Sequence, residues 1–456
     1  MAGDGGVYVV TLMKASSSNY RQPARAAPGE ILRSPDRTMA ALRCRVPYWG
    51  HRLWSGAGWK RREVVWRAFS RVDDGGSRRH GAAGSCRWLR RPHTRQASWL
   101  RSASDWWVPH TRQESWLGPQ VLDVRFGCKA VIEDLLLKQK IFSDLERSCH
   151  SNCIFATNTS TIDLRLIGQQ TACQDRIVGA HFFSPAHVMP LLEIVRTQQT
   201  SSQVIVDLLD VAKKIRKTPI VVGSCTGFAV NRMFFPYGQA AGLLVDYGLD
   251  IYHIDHVIAN FGMPPFRLAD LVGFGVAVAT GKQYYKSYPE RCYKSRLTEI
   301  MLEENRTGES SHRGFYLYND KRQASPDPDI KKYVEKSRNM AGVAQDPKLM
   351  KLTDKDIVEM VFFPVVNEAC RVLDEGIALK ASDLDVASIM GMGFPSFRGG
   401  VMFWADSLGA EYVYRRLDAW SKDYGEFFRP CEYLAARASR GTSLLWDPER
   451  RLFSFY

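Results

Sequence analysis

Between about residue 128 and residue 224, short apolar runs alternate with segments whose apolar residues recur at helical spacing. The runs typical of strands cover residues 129–133, 153–156, 181–183, 191–195 and 219–222. The helical pattern covers residues 135–146 and 202–217, where apolar positions lie three and four residues apart. Strands that alternate with helices predict a mainly parallel sheet covered on both faces, so we expect an α/β fold for this part of the chain.

After residue 225 the helical spacing predominates, and one pattern occurs twice. MFFP at residues 233–236 is matched by VFFP at residues 361–364. The later matches pair Gly248 with Gly376, Asp255 with Asp383 or Asp385, Pro264 with Pro395, Phe266 with Phe397, and Arg267 with Arg398. The repeat predicts two tandem all-α units, each a small helical bundle. Only the first copy has Asn231, so we expect the second copy to serve the architecture.

The first 120 residues differ from the rest of the 456-residue chain in both pattern and charge. They contain 19 Arg, 2 Lys and 8 acidic residues, which is a net +13 out of +14 for the whole chain. Nine of the 12 Trp residues also lie here. A basic arm that contacts phosphates and stacks on bases is one interpretation. The excess of Arg over Lys favours a disordered extension, or sequence never selected as protein, so we do not expect nucleic acid as a partner.

Several classes of protein are excluded by what the sequence lacks. It has no run of 18 apolar residues, so we expect no membrane span, and its first residues do not have the pattern of a secretory signal. The ten cysteines form no CxxC pair and no Cys/His group at zinc spacing, so we expect no metal site. The cysteines are expected to be reduced thiols in an intracellular compartment.

His181 and Glu193 are the first candidates for chemistry. His181 lies at the end of one predicted strand and Glu193 lies 12 positions later, inside the next, so a turn between the strands could bring them together. A carboxylate bonded to one imidazole nitrogen fixes the tautomer and supports a general base at the other nitrogen. Such a pair alone is more often structural. A polar turn at residues 158–161, at a strand end where open α/β sheets bind ligands, favours a functional site.

Four motifs in a fixed order closely resemble the L-3-hydroxyacyl-CoA dehydrogenase family. They are FATNTST at residues 155–161, GAHFFSP at 179–185, LLEIV at 191–195 and TGFAVNR at 226–232. The resemblance runs from about residue 128 to about residue 442, and it is greatest to the dehydrogenase part of the plant peroxisomal, or glyoxysomal, multifunctional proteins of fatty-acid β-oxidation. It implies an NAD-dependent enzyme that oxidises an L-3-hydroxyacyl-CoA thioester to the 3-ketoacyl-CoA.

The resemblance also implies roles for residues at matching positions. His181 would remove the proton of the 3-hydroxyl group, and Glu193 would orient its imidazole. Ser160 and Asn231 would hydrogen-bond the hydroxyl or thioester oxygen of the substrate. Taken alone, Ser160 would be interpreted as a helix cap and Asn231 as a hydrogen bond at a helix start.

For the cofactor, the resemblance implies a second set of residues. Glu133 and Lys138 match positions that contact the ribose and nicotinamide side of NAD. Ser160 belongs to this set as well, and Ser184 lies where relatives carry Asn or Ser near the nicotinamide. The family also implies a peroxisomal location, although the sequence does not end in a tripeptide of the Ser-Lys-Leu kind.

A dinucleotide fold needs a glycine-rich turn after its first strand, so that the pyrophosphate can approach backbone amides. The sequence contains no GxGxxG. We therefore expect an incomplete Rossmann-type nucleotide-binding domain, without its first strands, followed by two tandem all-α helical domains. An inactive acyl-CoA-binding or scaffold remnant is the alternative function. The predicted domains are residues 1–120, the basic extension; 121–224, the truncated NAD-binding domain; 225–345, the first helical copy; and 346–456, the second.

Overall fold

The computed structural model describes residues 8–13, 126–130 and 134–445. For residues 8–13 and 126–130 it gives the strands and their pairing. The rest of the chain lies outside the described residues, which applies to most of the predicted basic extension and to Glu133.

A six-stranded sheet forms the first part of the fold. Its strands are β1 Tyr8–Met13, β2 Phe126–Ala130, β3 Cys153–Thr157, β4 Ile177–Phe182, β5 Leu191–Arg196 and β6 Thr218–Gly223, in the spatial order β2-β1-β3-β4-β5-β6. All neighbouring strands are parallel except β4 and β5, which are antiparallel. The expected mainly parallel sheet is therefore confirmed, and the one antiparallel pair is the pair that carries His181 and Glu193.

Strand β1 corrects the prediction for the first 120 residues. The sequence favours a disordered extension for residues 1–120, yet Tyr8–Met13 lies between β2 and β3 and pairs with both. The six residues YVVTLM are apolar and β-branched enough to form a strand. The expectation failed because 112 residues separate β1 from β2, so no local pattern links the two. The domain boundaries remain predictions.

Helices cover both faces of the sheet. They are α1 Leu135–Ser148, α2 Leu164–Gly168 and α3 Ser202–Lys214. Successive side chains of a strand point to opposite faces. On β5, Leu192 and Ile194 pack with α3 in one core, whereas Leu191 and Val195 belong to a larger core that they share with the helical part of the chain. Glu193 therefore lies on the same face as Leu191 and Val195, the face that packs against the helical part of the chain.

The helical part consists of two units. The first helical unit comprises α4 Val230–Asp246, α5 Ile251–Ala259, α6 Pro265–Val272, α7 Phe274–Ser287, α8 Leu297–Glu303 and α9 Ile330–Ala341, with a small hairpin of β7 Tyr316–Tyr318 and β8 Ala324–Pro326. The second helical unit comprises α10 Asp354–Asp374, α11 Ala381–Met392, α12 Val401–Leu408, α13 Ala410–Tyr424 and α14 Glu432–Arg440. Helices α4 and α10 pack against each other, and each contains an internal proline.

The duplication is observed, but part of the predicted pairing is wrong. Asp255 accepts hydrogen bonds from the backbone of Phe266 and Arg267 at the start of α6. Of the two candidates in the second copy, Asp385 has the equivalent position, and it accepts from Met402 and Phe403 at the start of α12. Pro395, Phe397 and Arg398 precede that helix, so they are not the counterparts of Pro264, Phe266 and Arg267. Sequence similarity matched the loop before α12 with the start of α6. The hydrogen bonds of Asp255 and Asp385 show instead that the start of α12 is the counterpart of the start of α6.

Among the described helices, none has the length and apolar character needed to cross a membrane. Within the same residues, no group of three or more His, Cys, Asp or Glu side chains has the geometry to hold a metal ion.

Candidate active site

The centre of the site is the predicted contact between His181 and Glu193. The two residues lie directly opposite each other in the antiparallel register of β4 and β5. His181 Nδ1 and Glu193 Oε2 are 2.8 Å apart, and both side chains are buried. Among the described residues, nothing hydrogen-bonds the other ring nitrogen, Nε2. The pair can therefore hold the imidazole with Nδ1 protonated and Nε2 available as an acceptor.

The second oxygen of Glu193 is bound at the start of α4. Glu193 Oε1 accepts hydrogen bonds from the backbone N–H groups of Ala229 and Val230, at 2.9 and 3.2 Å. These groups would otherwise have no partner in the helix, and the positive end of the helix dipole favours a carboxylate there. Glu193 is thus bonded on both of its oxygens, which fixes the plane of the carboxylate against the imidazole.

Two aromatic rings border His181. The ring centroid of Phe183 lies 4.4 Å from that of the imidazole, and the centroid of Phe228 lies 5.8 Å away. Phe228 is fully buried and has a φ of 50°, in the left-handed region. The sequence had placed Phe228 in a motif but had given it no role. Together the two rings restrict the orientation of the imidazole and exclude water from its sides.

Ser160, in the turn after β3, and Asn231, in α4, approach each other. The Nδ2 group of Asn231, in the first turn of α4, donates to the backbone oxygen of Ser160 at 3.4 Å. Asn158, in the same turn as Ser160, accepts from the backbone N–H of Phe182 at 2.7 Å. This bond ties the turn after β3 to the end of β4, next to His181. The carboxyl ends of β3 and β4, the middle of β5 and the start of α4 therefore place the four predicted residues, His181, Glu193, Ser160 and Asn231, in one region.

The predicted cofactor residues are more dispersed. Ser184 is exposed in the turn after β4, and Lys138 is fully buried in α1, the helix that follows β2. Lys217 holds the turn that contains Ser184, because its Nζ group donates to the backbone oxygens of Ala186 and Met189 at 2.5 and 2.6 Å. No local pattern around Lys217 indicates this contact, because its two acceptors lie 31 and 28 positions away.

A charged cluster that was not predicted lies directly beside Asn231. Arg232 is fully buried and donates to Glu368 Oε1 at 2.9 and 2.7 Å. It also binds Glu375, at the end of α10. Burial alone would lower the pKa of Arg232, but Glu368 and Glu375 raise it well above its usual value. The sequence shows only that Arg232 follows Asn231. It does not indicate the ion pairs, because Glu368 and Glu375 lie more than 130 positions after Arg232.

Models of two protein-family domains match most of the chain after residue 117. Residues 117–225 match the 3-hydroxyacyl-CoA dehydrogenase, NAD binding domain. Residues 227–318 and 357–442 each match the 3-hydroxyacyl-CoA dehydrogenase, C-terminal domain, which confirms the duplication. The chain belongs to the 3-hydroxyacyl-CoA dehydrogenase family. The α/β part followed by helical units agrees with this family.

Relatives of this 3-hydroxyacyl-CoA dehydrogenase family member include multifunctional proteins. The chain is 66% identical over 324 residues to the peroxisomal fatty acid beta-oxidation multifunctional protein MFP2 of Arabidopsis thaliana, and the match covers 71% of this chain and 45% of that protein. It is 36% identical over 315 residues to the fatty acid oxidation complex subunit alpha of Vibrio cholerae, with 69% and 43% covered. The matched region thus spans less than half the length of these relatives.

A solved structure supports the fold. The 3-hydroxybutyryl-CoA dehydrogenase of Escherichia coli superposes with a TM-score of 0.58 at 22% identity, and the match covers 70% of this chain and 84% of that one. At this identity the likeness concerns the fold alone.

Proposed function

We propose that this chain oxidises L-3-hydroxyacyl-CoA to 3-ketoacyl-CoA with NAD, as a step of fatty-acid β-oxidation. The observation that carries the proposal is the buried His181–Glu193 pair, bonded at 2.8 Å, in a chain of the 3-hydroxyacyl-CoA dehydrogenase family. The names of the plant relatives support a peroxisomal setting for this activity.

His181 is the proposed general base. Nε2 accepts the proton of the substrate's 3-hydroxyl group while the hydrogen on C3 leaves as hydride. Glu193 keeps the other ring nitrogen protonated and stabilises the imidazolium that forms, because its carboxylate is 2.8 Å from Nδ1. The two backbone donors at the start of α4 keep this carboxylate in place when the charge on the ring changes.

Ser160 and Asn231 are proposed to orient the substrate. Ser160 lies in the turn after β3 and Asn231 in the first turn of α4, and the amide of Asn231 reaches the Ser160 backbone. From there, their side chains can hydrogen-bond the 3-hydroxyl or thioester oxygen and hold C3 in reacting geometry. The aromatic rings of Phe183 and Phe228 limit access of water to the imidazole.

The described residues fit the nicotinamide end of NAD, which supplies the hydride acceptor when it is bound. The strand order changes direction beside β1, with β2 on one side and β3 on the other, and ligands of α/β sheets bind at such a point. The hydrogen bond from the backbone N–H of Phe182 to the side chain of Asn158 keeps the ends of β3 and β4 together at this edge. Ser160, Ser184 and Lys138 are the proposed contacts in the described part, and Glu133 is the proposed ribose contact.

The pyrophosphate end of NAD is the reason to keep a second candidate function. Residues 14–28, which follow β1, contain no glycine, whereas dinucleotide folds place a glycine-rich turn there. An acyl-CoA-binding protein without dehydrogenase activity would result if this segment fails to hold the pyrophosphate. Calorimetry distinguishes the candidates, since the enzyme requires saturable NAD binding and the alternative predicts binding of the CoA thioester alone.

The activity test follows NADH formation from L-3-hydroxybutyryl-CoA. We expect His181→Ala to lower kcat by about 10²- to 10⁴-fold, which is the usual contribution of a general base. His253→Ala, at an exposed histidine of α5, is the matched control and should behave like the wild type. Equal rates for the wild type and His181→Ala would contradict the assignment of the base.

A further inference from the structure

Helix α11 of the second helical unit lies directly against the elements that hold Glu193. Gly391, in the last turn of α11, faces Leu191 of β5 and Val230 of α4. A Cβ atom at position 391 would lie 2.8 Å from Leu191 Cδ2 and 3.1 Å from Val230 Cγ1. Both partners are buried, so neither side chain can move freely away. The close approach of α11 therefore requires glycine at this position.

The two residues that Gly391 faces are the two supports of Glu193. Leu191 and Glu193 are two positions apart on β5, so their side chains point to the same face of the sheet. Val230 belongs to the other support, because its backbone N–H donates to Glu193 Oε1 at 3.2 Å. A shift of α11 would thus move both the strand that carries the carboxylate and the helix start that binds it.

Two further contacts join the second helical unit to the same region. Arg232, two residues after Val230, is held by Glu368 and Glu375 of the second unit. The backbone N–H of Gly223, at the end of β6, donates to the backbone oxygen of Ile377 at 2.7 Å. The start of α4 is therefore fixed from the second unit by the ion pairs of the buried Arg232 as well as by packing.

We propose that the second helical unit positions the Glu193 carboxylate, with Gly391 and Arg232 as its positioning residues. This goes beyond the expectation from the sequence, in which the second copy serves the architecture. The inference rests on the proposed function of His181 as the base that Glu193 orients. A displacement of the carboxylate moves the imidazole that it orients, and a misplacement of about 1 Å in a catalytic group can cost about 10²-fold in rate.

The test introduces side chains at Gly391 without touching the site. Gly391→Ala and Gly391→Val are compared with Gly238→Ala and Gly238→Val, because Gly238 is a helical glycine of α4 whose Cβ would meet nothing within 4 Å. We expect Gly391→Val to lower kcat by about 10- to 100-fold, with a smaller loss for Gly391→Ala, because displacements of this kind act on reacting geometry. The KM for the acyl-CoA should stay near the wild-type value. The Gly238 variants should keep the wild-type kcat.

A spectroscopic measurement reports on the pair without turnover. In protein labelled with ¹⁵N-histidine, the Nδ1–H proton of His181 should give a downfield resonance in the wild type, and His181→Ala assigns it. We expect this resonance to shift or disappear in Gly391→Val and to remain in Gly238→Val. The measurement needs neither NAD nor substrate, so it tests the inference even if the chain proves to have no dehydrogenase activity.

A second substitution checks that the effect comes from the predicted overlap. Leu191→Val removes the Cδ2 atom that a side chain at position 391 would meet. In the double variant Gly391→Ala with Leu191→Val, kcat and the resonance should return towards the values of Leu191→Val alone. If Gly391→Val does not fold, the smaller Gly391→Ala variant and its rescue still decide the question. An unchanged resonance and a kcat equal to that of the Gly238 controls would overturn the proposal.

Discussion

At the scale of single residues, Asp270 shows how a buried carboxylate organises a loop of this chain. Its Oδ1 atom accepts from the backbone N–H of Phe315 at 2.7 Å, and Oδ2 accepts from that of Tyr316 at 3.0 Å and from the Tyr318 hydroxyl at 2.5 Å. Burial raises the pKa of Asp270 to about 6, although these bonds oppose the shift. Gly314 is required beside it, because a Cβ there would lie 2.1 Å from Oδ1.

This pKa predicts a dependence of stability on pH. The folded protein protonates Asp270 near pH 6, whereas the unfolded chain does so near the ordinary value of 3.8, so the folded state binds more protons between these values. Lowering the pH from 7 to 4 should therefore stabilise the fold through this group by up to about 3 kcal/mol. Asp270→Asn should lose this increment relative to the wild type, as measured by urea unfolding at pH 4.5, 5.5 and 7.

The difference in unfolding free energy between the wild type and Asp270→Asn reports on Asp270 alone. Asp385, whose pKa is also raised to about 6 by burial, is present in both proteins. Asp320→Asn, at an exposed position, controls for the loss of one charge. Unfolding free energies that differ by the same amount at all three pH values would contradict the prediction.

At the scale of elements, the antiparallel pair of β4 and β5 sets the geometry of the site. Gly179 lies directly opposite Val195, and His181, two residues later on β4, lies directly opposite Glu193, two residues earlier on β5. A Cβ at position 179 would be 2.7 Å from the Cβ of Val195, so the strands can approach this closely only with glycine there. The register that joins the base to its carboxylate depends on this approach.

Gly179→Ala should therefore separate the strands and affect both stability and activity. Overpacking of this kind typically costs about 1–3 kcal/mol, and we expect a corresponding drop in the free energy of unfolding. The kcat should fall as well, because His181 and Glu193 share the displaced register. Gly275→Ala in α7, where a Cβ would meet nothing within 4 Å, is the control for urea unfolding and turnover. A variant as stable and as active as this control would show that the sheet tolerates the extra atom.

At the scale of the whole molecule, the sheet depends on a strand from the beginning of the chain. β1 pairs with β2 on one side and β3 on the other, so it occupies the interior of the sheet rather than an edge. Without β1, the parallel ladder from β2 to β3 would be interrupted. The switch point at which the proposed cofactor site lies would be lost too.

Val10→Pro tests the place of β1 in the sheet. Proline removes one ladder donor and is excluded from interior strands, so an acceptor on a neighbouring strand loses its partner, at a cost of about 1–3 kcal/mol. We expect a lower free energy of unfolding and faster hydrogen exchange of the amides of β3. Ser18→Pro, five positions after the end of β1, is the control. Unchanged exchange in Val10→Pro would contradict the pairing.

Much of this fold and site could be predicted from local sequence. Short apolar runs and apolar residues at helical spacing indicated the succession of strands and helices, and the repeated MFFP and VFFP segments indicated the duplication, which the second family match confirms. The spacing of His181 and Glu193 predicted their contact, which the structure has at 2.8 Å. These features depend on residues that are near in sequence, or that adjacent strands bring together.

Tertiary structure alone decided the rest. It inserted Tyr8–Met13 into the sheet, selected Asp385 over Asp383 at the start of α12, and placed Gly391 against the supports of Glu193. It also joined Arg232 to Glu368 across 136 positions. In each case the partner lies far along the chain or in another unit, and the energy comes from burial and hydrogen bonding between them. Local periodicity contains no information about such contacts, because they exist only once the units pack together.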